Sequence, residues 1–335
     1  MRLAIDRTAS SQSTGSASAA TVGGMTICRD FPTILLAAGC TLGLLAVPMS
    51  AAARAQVAGE TATQPPPSKV WPAPDPPLPD YLRDRGTGVS TSMFGTYVRR
   101  RELLFYPFFE YYADHDYEYA PEDLGTPGDV DYRGRYHARE VLLFLGYGLA
   151  DNLAFELEAA AITASLDTAA DDTSSLPDRI EESGLGDVEA QIRWRMRTED
   201  ARRPELFSFA EVVFPRNEDK PLIGTPGVEL KFGAGLVRGF GWGTITSRIA
   251  VEYAEGSTSH WDLGEYAVEY LKRLSPSWRV YLGLEGEQDE LSLITEAQWH
   301  LGPRVFIRFN NGVGLTSKAT DWAPEVGIVF SLFGR

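Results

Sequence analysis

The sequence predicts an all-β protein, a transmembrane antiparallel up-and-down β-barrel of about 12 strands. Three observations point to this fold class. Apolar and polar residues alternate in short segments from about residue 100 to the C-terminus, a two-residue period typical of strands. Tight turns alternate with longer loops between these segments, and tryptophans stand at the segment ends. Barrels that cross bacterial outer membranes combine these features.

Alternation identifies each strand in turn. The predicted strands span roughly residues 101–113, 135–149, 153–166, 186–197, 205–214, 227–238, 242–254, 262–272, 278–287, 291–300, 304–315 and 322–333. Connections such as Ala150–Asn152 and Leu301–Arg304 contain the Gly, Pro, Asn and Asp residues of tight turns. Longer connections at 114–134, 167–184 and 215–226 fall at the other end. We therefore expect short periplasmic turns and longer extracellular loops.

The fourth predicted strand explains why a membrane barrel fits this pattern. In GDVEAQIRWRMR, residues 186–197, apolar Ile192 and Trp194 alternate with charged residues such as Glu189 and Arg195. A barrel wall has one face on lipid and the other on the lumen, and its closure leaves no strand edge unpaired in hydrocarbon. Alternation alone does not show which of the two faces contacts water. A secreted soluble β-protein with an apolar interior is therefore the alternative.

The positions of the tryptophans favour a membrane barrel over a soluble β-protein. Trp242 and Trp278 begin strands at the short-turn end and Trp299 finishes one there, whereas Trp261 and Trp322 begin strands at the opposite end. Indole rings prefer the two membrane interfaces, where the apolar ring and the polar N–H are both accommodated. These five residues are predicted to form an aromatic girdle in contact with outer-membrane lipid.

Alternation also assigns a set of charged residues, with one histidine, to the inner face. These predicted lumen residues are Glu156, Glu158, Asp187, Glu189, Arg193, Arg195, Arg197, Lys231, Arg248, Glu252, Glu265, Glu269, Arg279, Glu285, Glu296, His300 and Arg308. In a wide barrel such charges set the ion preference of a pore. In a narrow barrel they pair across strands and close the lumen, because buried charges need partners.

Strand order predicts one particular set of ion pairs. Glu156 and Glu158 are expected near the periplasmic end of the third strand, beside Arg193, Arg195 and Arg197 of the fourth. Directly opposite residues on antiparallel strands approach to about 4.5–5.5 Å, and arginine can engage a carboxylate through two bonds. We expect an ion-pair ladder that narrows the periplasmic mouth.

Catalytic motifs do not emerge from the sequence. The histidines are His115, His137, His260 and His300, without a zinc-binding spacing, and no G-x-S-x-G motif is present. His300 is expected to line the lumen. We predict no catalytic residue, no metal and no cofactor, and a barrel lipid hydrolase is the third functional alternative.

The N-terminal quarter of the chain is predicted to serve targeting. Residues 1–24 are read as a mis-assigned start or a disordered segment, and residues 25–55 as a signal peptide with an apolar run and an A-x-A site. Cys40, in a loose lipidation box, leaves a lipoprotein as an alternative. We expect export to the outer membrane of a Gram-negative-type bacterium.

Three further segments complete the predicted organisation: a Pro-rich disordered linker at 56–85, an N-terminal lead-in or short plug at 86–100, and the barrel at 101–335. The formal net charge is −15. Such an acidic chain is an improbable partner for nucleic acid.

The last predicted strand contains an assembly pattern. Glu325, Gly327, Phe330 and Leu332 resemble the C-terminal signal of outer-membrane barrels, which is a polar residue, a glycine and two spaced hydrophobic residues. The chain then continues to Gly334-Arg335 instead of stopping on an aromatic residue. The resemblance implies that the barrel-assembly machinery is a partner.

Several stretches resemble the bacterial family of MetA-pathway phenol-degradation proteins, which are outer-membrane barrels described as transporter-like. They are Gly184–Asp187, Arg193–Arg195, Val213–Pro215 and Phe232–Leu236, within residues 135–333. Pro215–Asn217 replaces the Pro-Thr-Gly turn of that family. The resemblance implies a passive channel or transport protein for a small-molecule solute. A structural or surface-interaction barrel with a lumen closed by ion pairs is the alternative.

Overall fold

Twelve antiparallel strands close into one barrel in the part of the chain that the structure, a computed structural model, describes: residues 78–255 and 260–334. The predictions for the start of the chain, the signal peptide and most of the linker lie outside the described residues. No helix among the described residues is long and apolar enough to cross a membrane.

The order of elements follows the chain. A short 3₁₀ helix (Asp80–Leu82) and a two-stranded hairpin, β1 (Val89–Ser90) and β2 (Tyr97–Val98), precede the barrel, and a second 3₁₀ helix (Pro121–Leu124) lies in its first loop. The barrel strands are β3 (Glu102–Tyr119), β4 (Tyr132–Ala150), β5 (Leu153–Asp167), β6 (Arg179–Arg197), β7 (Glu205–Phe214), β8 (Glu229–Phe240), β9 (Gly243–Ala254), β10 (Trp261–Arg273), β11 (Trp278–Glu287), β12 (Glu290–Gly302), β13 (Val305–Gly314) and β14 (Trp322–Phe333).

Each barrel strand pairs with its neighbours in sequence, and β14 pairs with β3 to close the barrel. This confirms the predicted up-and-down, 12-stranded fold. At one end, here the short-turn end, two-residue turns join strands at 151–152, 241–242 and 303–304. The opposite, long-loop end has the connections 120–131, 168–178 and 215–228, together with a two-residue turn at 288–289.

Two strands are much longer than the alternation predicted. β3 continues to Tyr119 instead of ending at residue 113, because Tyr117 and Tyr119 pair with Gly134 and Tyr132 of β4 beyond a bulge. β6 likewise begins at Arg179, seven residues before the predicted start at 186. Acidic residues in both extensions interrupt the apolar pattern without interrupting the backbone hydrogen bonds.

The outer surface of the barrel is apolar. Ile192, Trp194, Leu282 and Leu284, which were predicted to face lipid, are 46–49% exposed. The five predicted girdle tryptophans are 40–60% exposed, and Trp278 stacks on Trp299 at a ring distance of 5.9 Å. Soluble proteins bury such residues and expose charges. This inside-out distribution is the one that a lipid-facing wall requires.

The inner wall has two unlike halves. The aromatic half is built on β3, β4 and β5, whose buried residues include Tyr106, Phe108, Leu142, Phe144 and Ile162. The charged half is built on β6 to β13, where buried arginine, lysine and glutamate side chains alternate with polar and apolar residues such as Phe207, Phe209 and Val237. The halves meet where β14 pairs with β3.

Candidate functional site

The segment 78–101, called here the inner segment, lies inside the lumen at the short-turn end. Its Ser92 donates hydrogen bonds from the backbone N, at 2.8 Å, and from Oγ to Glu156 of β5. Two residues later, Phe94 stacks on Tyr281 of β11 with ring centroids 5.1 Å apart. Because β5 and β11 stand on opposite sides of the closed barrel, a segment in contact with both occupies the lumen.

A buried ion network holds the beginning of the inner segment. Arg85 Nη2 lies 3.0 Å from Glu199 and 3.1 Å from Glu205, and all three side chains are nearly inaccessible. Burial opposes the charge on Arg85, but Tyr97, Glu205 and Glu199 outweigh it and raise the pKa of the guanidinium. Residues 80–85, predicted as disordered linker, therefore pack against the wall, because both Arg85 and its neighbour Asp84 find partners there.

Two wall glycines let the inner segment approach the barrel backbone. A Cβ on Gly148 would stand 2.0 Å from the carbonyl oxygen of Arg99, and one on Gly239 would stand 1.8 Å from that of Tyr81. No side chain fits at either position while the segment is in place. These glycines therefore mark where residues 78–101 rest on the wall.

The predicted ion-pair ladder between β5 and β6 is wrong. In the observed register Glu156 stands opposite Gln191, and Glu158 opposite Glu189. Arg193 stands opposite Ala154, two residues along β5 from Glu156.

The arginines of β6 instead bind the inner segment and the loops. Arg193 donates to the Thr91 carbonyl and lies over the rings of Phe207 and Phe209 at 5.2 and 5.0 Å. Arg195 donates to the Gly88 and Asp151 carbonyls and approaches Glu205 at 3.6 Å. Arg197 donates to the Pro204 carbonyl at 3.1 Å.

Several acids of the charged half have basic partners, although Glu189, Glu211 and Glu229 form no ion pair among the described residues. Arg308 Nε lies 2.9 Å from Glu296, with both side chains fully buried. Lys231 Nζ lies 3.3 Å from Glu252 and 3.1 Å from Glu287. Arg248 contacts three carboxylates, those of Glu265, Glu269 and Glu285. This half of the lumen is thus cross-linked by ion pairs.

Three acids of the aromatic half have no basic partner among the described residues, although Glu102 of β3 pairs with Arg99 at 2.9 Å. Glu110 stands directly opposite Glu140 on one side and Glu325 on the other, so that three carboxylates share one row across β14, β3 and β4. Glu158 stands directly opposite Glu189. No lysine or arginine forms an ion pair with Glu110, Glu140 or Glu158 among the described residues.

A cavity of about 230 Å³ opens above the inner segment, toward the long-loop end. Ser92, Met93 and Phe94 form its floor, and the aromatic half supplies Phe108, Tyr112, Tyr117, Tyr136 and Phe144. Its titratable lining consists of twelve acids and two bases, Lys231 and Arg248, beside these tyrosines. Both bases are already engaged by glutamates, so the cavity is strongly acidic.

The other predicted lumen residues are also buried or half-buried. Asp187 accepts hydrogen bonds from the backbone N–H groups of Arg216 and Thr225, at 2.8 and 2.7 Å, and so holds the β7–β8 loop. Arg279 is half-buried. His300 stacks on Phe306 at 4.7 Å, and its Nε2 has no hydrogen-bond partner among the described residues.

The residues of the predicted assembly signal lie on the closing strand. Phe330 packs on Phe105 of β3 with ring centroids 6.1 Å apart. A Cβ on Gly327 would stand 2.4 Å from that of Phe108, so glycine is required for β14 to close against β3. Glu325 accepts from the Tyr106 hydroxyl inside the barrel, and Leu332 is 40% exposed outside it.

One group of acids could hold a metal ion by its geometry. The ligand atoms of Asp114, Asp116 and Asp321 lie within 4.8 Å of one another at the long-loop rim, and no other such group occurs among residues 78–255 and 260–334. His115 donates from its backbone N, at 3.0 Å, and pairs through Nδ1, at 2.8 Å, with Asp321, which lowers the pKa of that carboxyl. These carboxylates are thus already engaged within the rim.

Sequence reasoning missed several residues of this site. Glu110 and Glu140 were not assigned inward because β3 is aromatic on both faces, and β4 is apolar on both faces near its centre. Parity with Tyr106 and Tyr112 would have placed Glu110 inside. Arg85 carries no sequence signal, since its buried position depends on the inner segment entering the lumen.

No family model matches the chain, and no curated protein matches it. Among solved structures, an outer membrane channel from Pseudomonas putida F1 aligns with a TM-score of 0.53 at 15% identity, covering 73% of this chain and 100% of the channel. The two chains share a fold.

Two further barrels align less well. The translocator domain of the autotransporter NalP from Neisseria meningitidis has a TM-score of 0.45 at 10% identity, covering 68% of this chain and 88% of the domain. The toluene transporter TbuX from Ralstonia pickettii has a TM-score of 0.40 at 10% identity, covering 77% of this chain and 98% of the transporter.

Proposed function

We propose that this chain is an outer-membrane channel for small solutes, narrowed at its short-turn end by the inner segment. The observation that carries the proposal is the combination of an apolar outer wall with a lumen that still contains a cavity of about 230 Å³. A barrel with only a structural role needs the first feature and not the second. The P. putida barrel of the same fold is named an outer membrane channel, which supports the same assignment.

The proposed route runs from the long-loop end through the cavity to the inner segment. That segment is anchored by polar contacts at Arg85 and Ser92, and by Val89 and Val98, which are buried in the apolar cluster of the wall. Displacing it would join the cavity to the short-turn end. Solute passage therefore depends on residues 78–101 moving within the lumen or away from it.

Conductance of the full chain in planar bilayers tests this function. Gly148→Leu and Gly239→Leu should each raise single-channel conductance, because a side chain there collides with the backbone of Arg99 or Tyr81. Gly302→Leu is the matched control, since a Cβ at Gly302 has nothing within 4 Å. Absence of conductance in the wild type and in both variants would exclude a channel.

The same measurement decides the second candidate, a structural or surface-interaction barrel. The buried pairs of Arg308, Arg248 and Lys231, together with the inner segment, favour this alternative because they fill much of the lumen. A barrel sealed by these contacts would remain non-conducting when Gly148 or Gly239 is enlarged. A lipid-hydrolase role has less support, because no serine hydroxyl is hydrogen-bonded to the His300 ring among the described residues.

Export and assembly belong to this proposal. Residues 25–55 would direct secretion as a cleaved signal, and β14 would present Glu325, Gly327, Phe330 and Leu332 to the barrel-assembly machinery. N-terminal sequencing of the protein recovered from outer membranes tests the first step. A mature chain that retains residues 25–55 would remove the signal-peptide assignment.

A further inference from the structure

The aromatic half of the lumen contains carboxylates that the fold leaves without a basic partner. Glu158 is 6% exposed, lines the cavity, and its Oε1 has no hydrogen-bond partner among the described residues. Glu140 is 1% exposed, and neither of its carboxylate oxygens has such a partner. Burying an acceptor or a charge in this way is unfavourable unless another group compensates it.

The strand register increases this cost. Like charges directly opposite each other on neighbouring strands are destabilising, and both Glu110–Glu140 and Glu110–Glu325 are such pairs. Tyrosine hydroxyls reduce the cost in part, since Tyr112 bonds Glu110 and Tyr106 bonds Glu325. A tyrosine supplies a hydrogen bond but no positive charge. No lysine or arginine among the described residues forms an ion pair with this row.

The cavity beside these acids suits more than a bare ion. Its volume of about 230 Å³ is several times the ~30 Å³ that one water occupies in the liquid. The lining places aromatic rings, including Phe108 and Phe144, beside Glu158. Aromatic faces attract ammonium groups and also pack against apolar bodies. The combined chemistry is that of a ligand with one cationic and one apolar part.

The spacing of the acids disfavours a chelated metal ion. Calcium takes six to eight oxygen ligands at about 2.3–2.6 Å, which requires several carboxylates to converge. Among the described residues, the acids whose ligand atoms come within 4.8 Å of one another in a group of three are at the rim, at Asp114, Asp116 and Asp321. The lumen acids are more widely spaced, as an organic cation allows.

We propose that the cavity binds an organic ammonium ion, a protonated amine on an aromatic or aliphatic body. Its ammonium group pairs with Glu158 and the Glu110 row, and its apolar part packs on Phe108 and Phe144. The inference rests on the proposed function only where it names the transported solute, because the binding site lies within the closed barrel whether or not the barrel conducts. Such ligands would be preferred over neutral molecules of the same shape.

Equilibrium titration of the full chain in detergent at pH 7 tests the proposal with two probes of similar shape, 2-phenylethylammonium and neutral 2-phenylethanol. The ammonium ion should bind about tenfold or more tightly than the alcohol, because it alone supplies charge-assisted bonds to the acids. Glu158→Gln should weaken ammonium binding by a similar factor and leave alcohol binding unchanged. Equal affinity for both probes would overturn the proposal.

Glu122→Gln is the matched control, because it removes one exposed acid from the long-loop end without touching the cavity. Glu158→Gln removes a buried charge that has no basic partner, so it should fold, and heat-modifiable migration on gels reports this. Should it fail to fold, the comparison of the two probes on the wild type still decides. Stoichiometric binding of calcium or magnesium in place of the amine would overturn the ligand class.

Binding and conductance separate the two proposals. Ammonium binding without conductance in the wild type or the Gly148→Leu variant would retain the site and exclude the channel. Conductance without selective ammonium binding would retain the channel and exclude the site.

Discussion

Buried carboxylates of the two halves of the lumen wall include some that are paired with a base and some that have none among the described residues. In the charged half, Glu296 is paired with Arg308, and Arg248 serves three further glutamates. In the aromatic half, Glu140 and Glu158 are 1% and 6% exposed and have no such base among the described residues. Taking a charge out of water costs several kcal/mol unless a partner compensates it. The paired carboxylates are therefore compensated within the barrel, and the proposed ammonium ligand would compensate the unpaired ones.

Removing a base from the charged half should give the largest effect. Arg308→Ala is expected to destabilise the barrel by about 3–5 kcal/mol, because it leaves Glu296 buried and unpaired. Chemical unfolding in detergent, followed by gel migration, measures the change.

The double variant Arg308→Met with Glu296→Leu supplies the control. Replacing both partners by apolar residues of similar volume should be close to neutral, since no charge is left buried. If the single and double variants were equally unstable, the loss would come from packing on Tyr106, which Arg308 covers at 4.9 Å, and not from charge.

The architecture of this wall could be predicted because period-two alternation is a local property. Segment 205–214 and segment 278–287 were predicted with the ends that the structure shows. The extension of β3 to Tyr119 could not be predicted, because hydrogen bonds to β4 hold it together and the side-chain pattern does not reveal them.

The sequence predicted which residues line the inner face, but it did not predict which of them pair with each other. Alternation placed Glu156 and Arg193 inside, where both are buried. It could not give the register, and in the observed register Glu156 and Arg193 contact the inner segment instead of each other. Glu110 was missed because both faces of β3 are aromatic. Pairing across strands depends on long-range geometry that a single segment does not encode.

Substitutions on the outer face test whether that face contacts lipid along both halves of the wall. Leu282→Arg should cost about 2–4 kcal/mol, because it places a charge in the lipid at mid-wall. Leu274→Arg, in the turn after β10, should cost about 0–1 kcal/mol, since the penalty falls near the interface. Both leucines are exposed, at 47% and 63%. Equal stability of the two variants would contradict a lipid-facing wall.

The strand pair where the halves meet gives a smaller effect. Gly327→Ala should cost about 1–3 kcal/mol through overpacking, since the new Cβ would meet Phe108 and Tyr106 at 2.4 and 2.6 Å. The folded fraction in outer membranes should fall. Gly312→Ala on β13 is the control, because its Cβ has only ordinary or slightly tight contacts, at 3.3 Å or more. Similar yields for both variants would show that closure tolerates a methyl group at Gly327.

The smallest expected effect is a gain in stability, and it tests whether Glu140 is an uncompensated charge in the aromatic half. Glu140→Gln should stabilise the empty barrel by about 1 kcal/mol at pH 7. The substitution removes a buried negative charge that has neither a hydrogen-bond donor nor a base beside it among the described residues, and it keeps the shape of the side chain. The gain should shrink as the pH falls, because protonation makes wild-type Glu140 neutral like the variant. Unfolding measured at pH 7 and at pH 4 distinguishes this from a packing effect, which would not change with pH. A loss of stability at pH 7 would mean that Glu140 is compensated within the barrel.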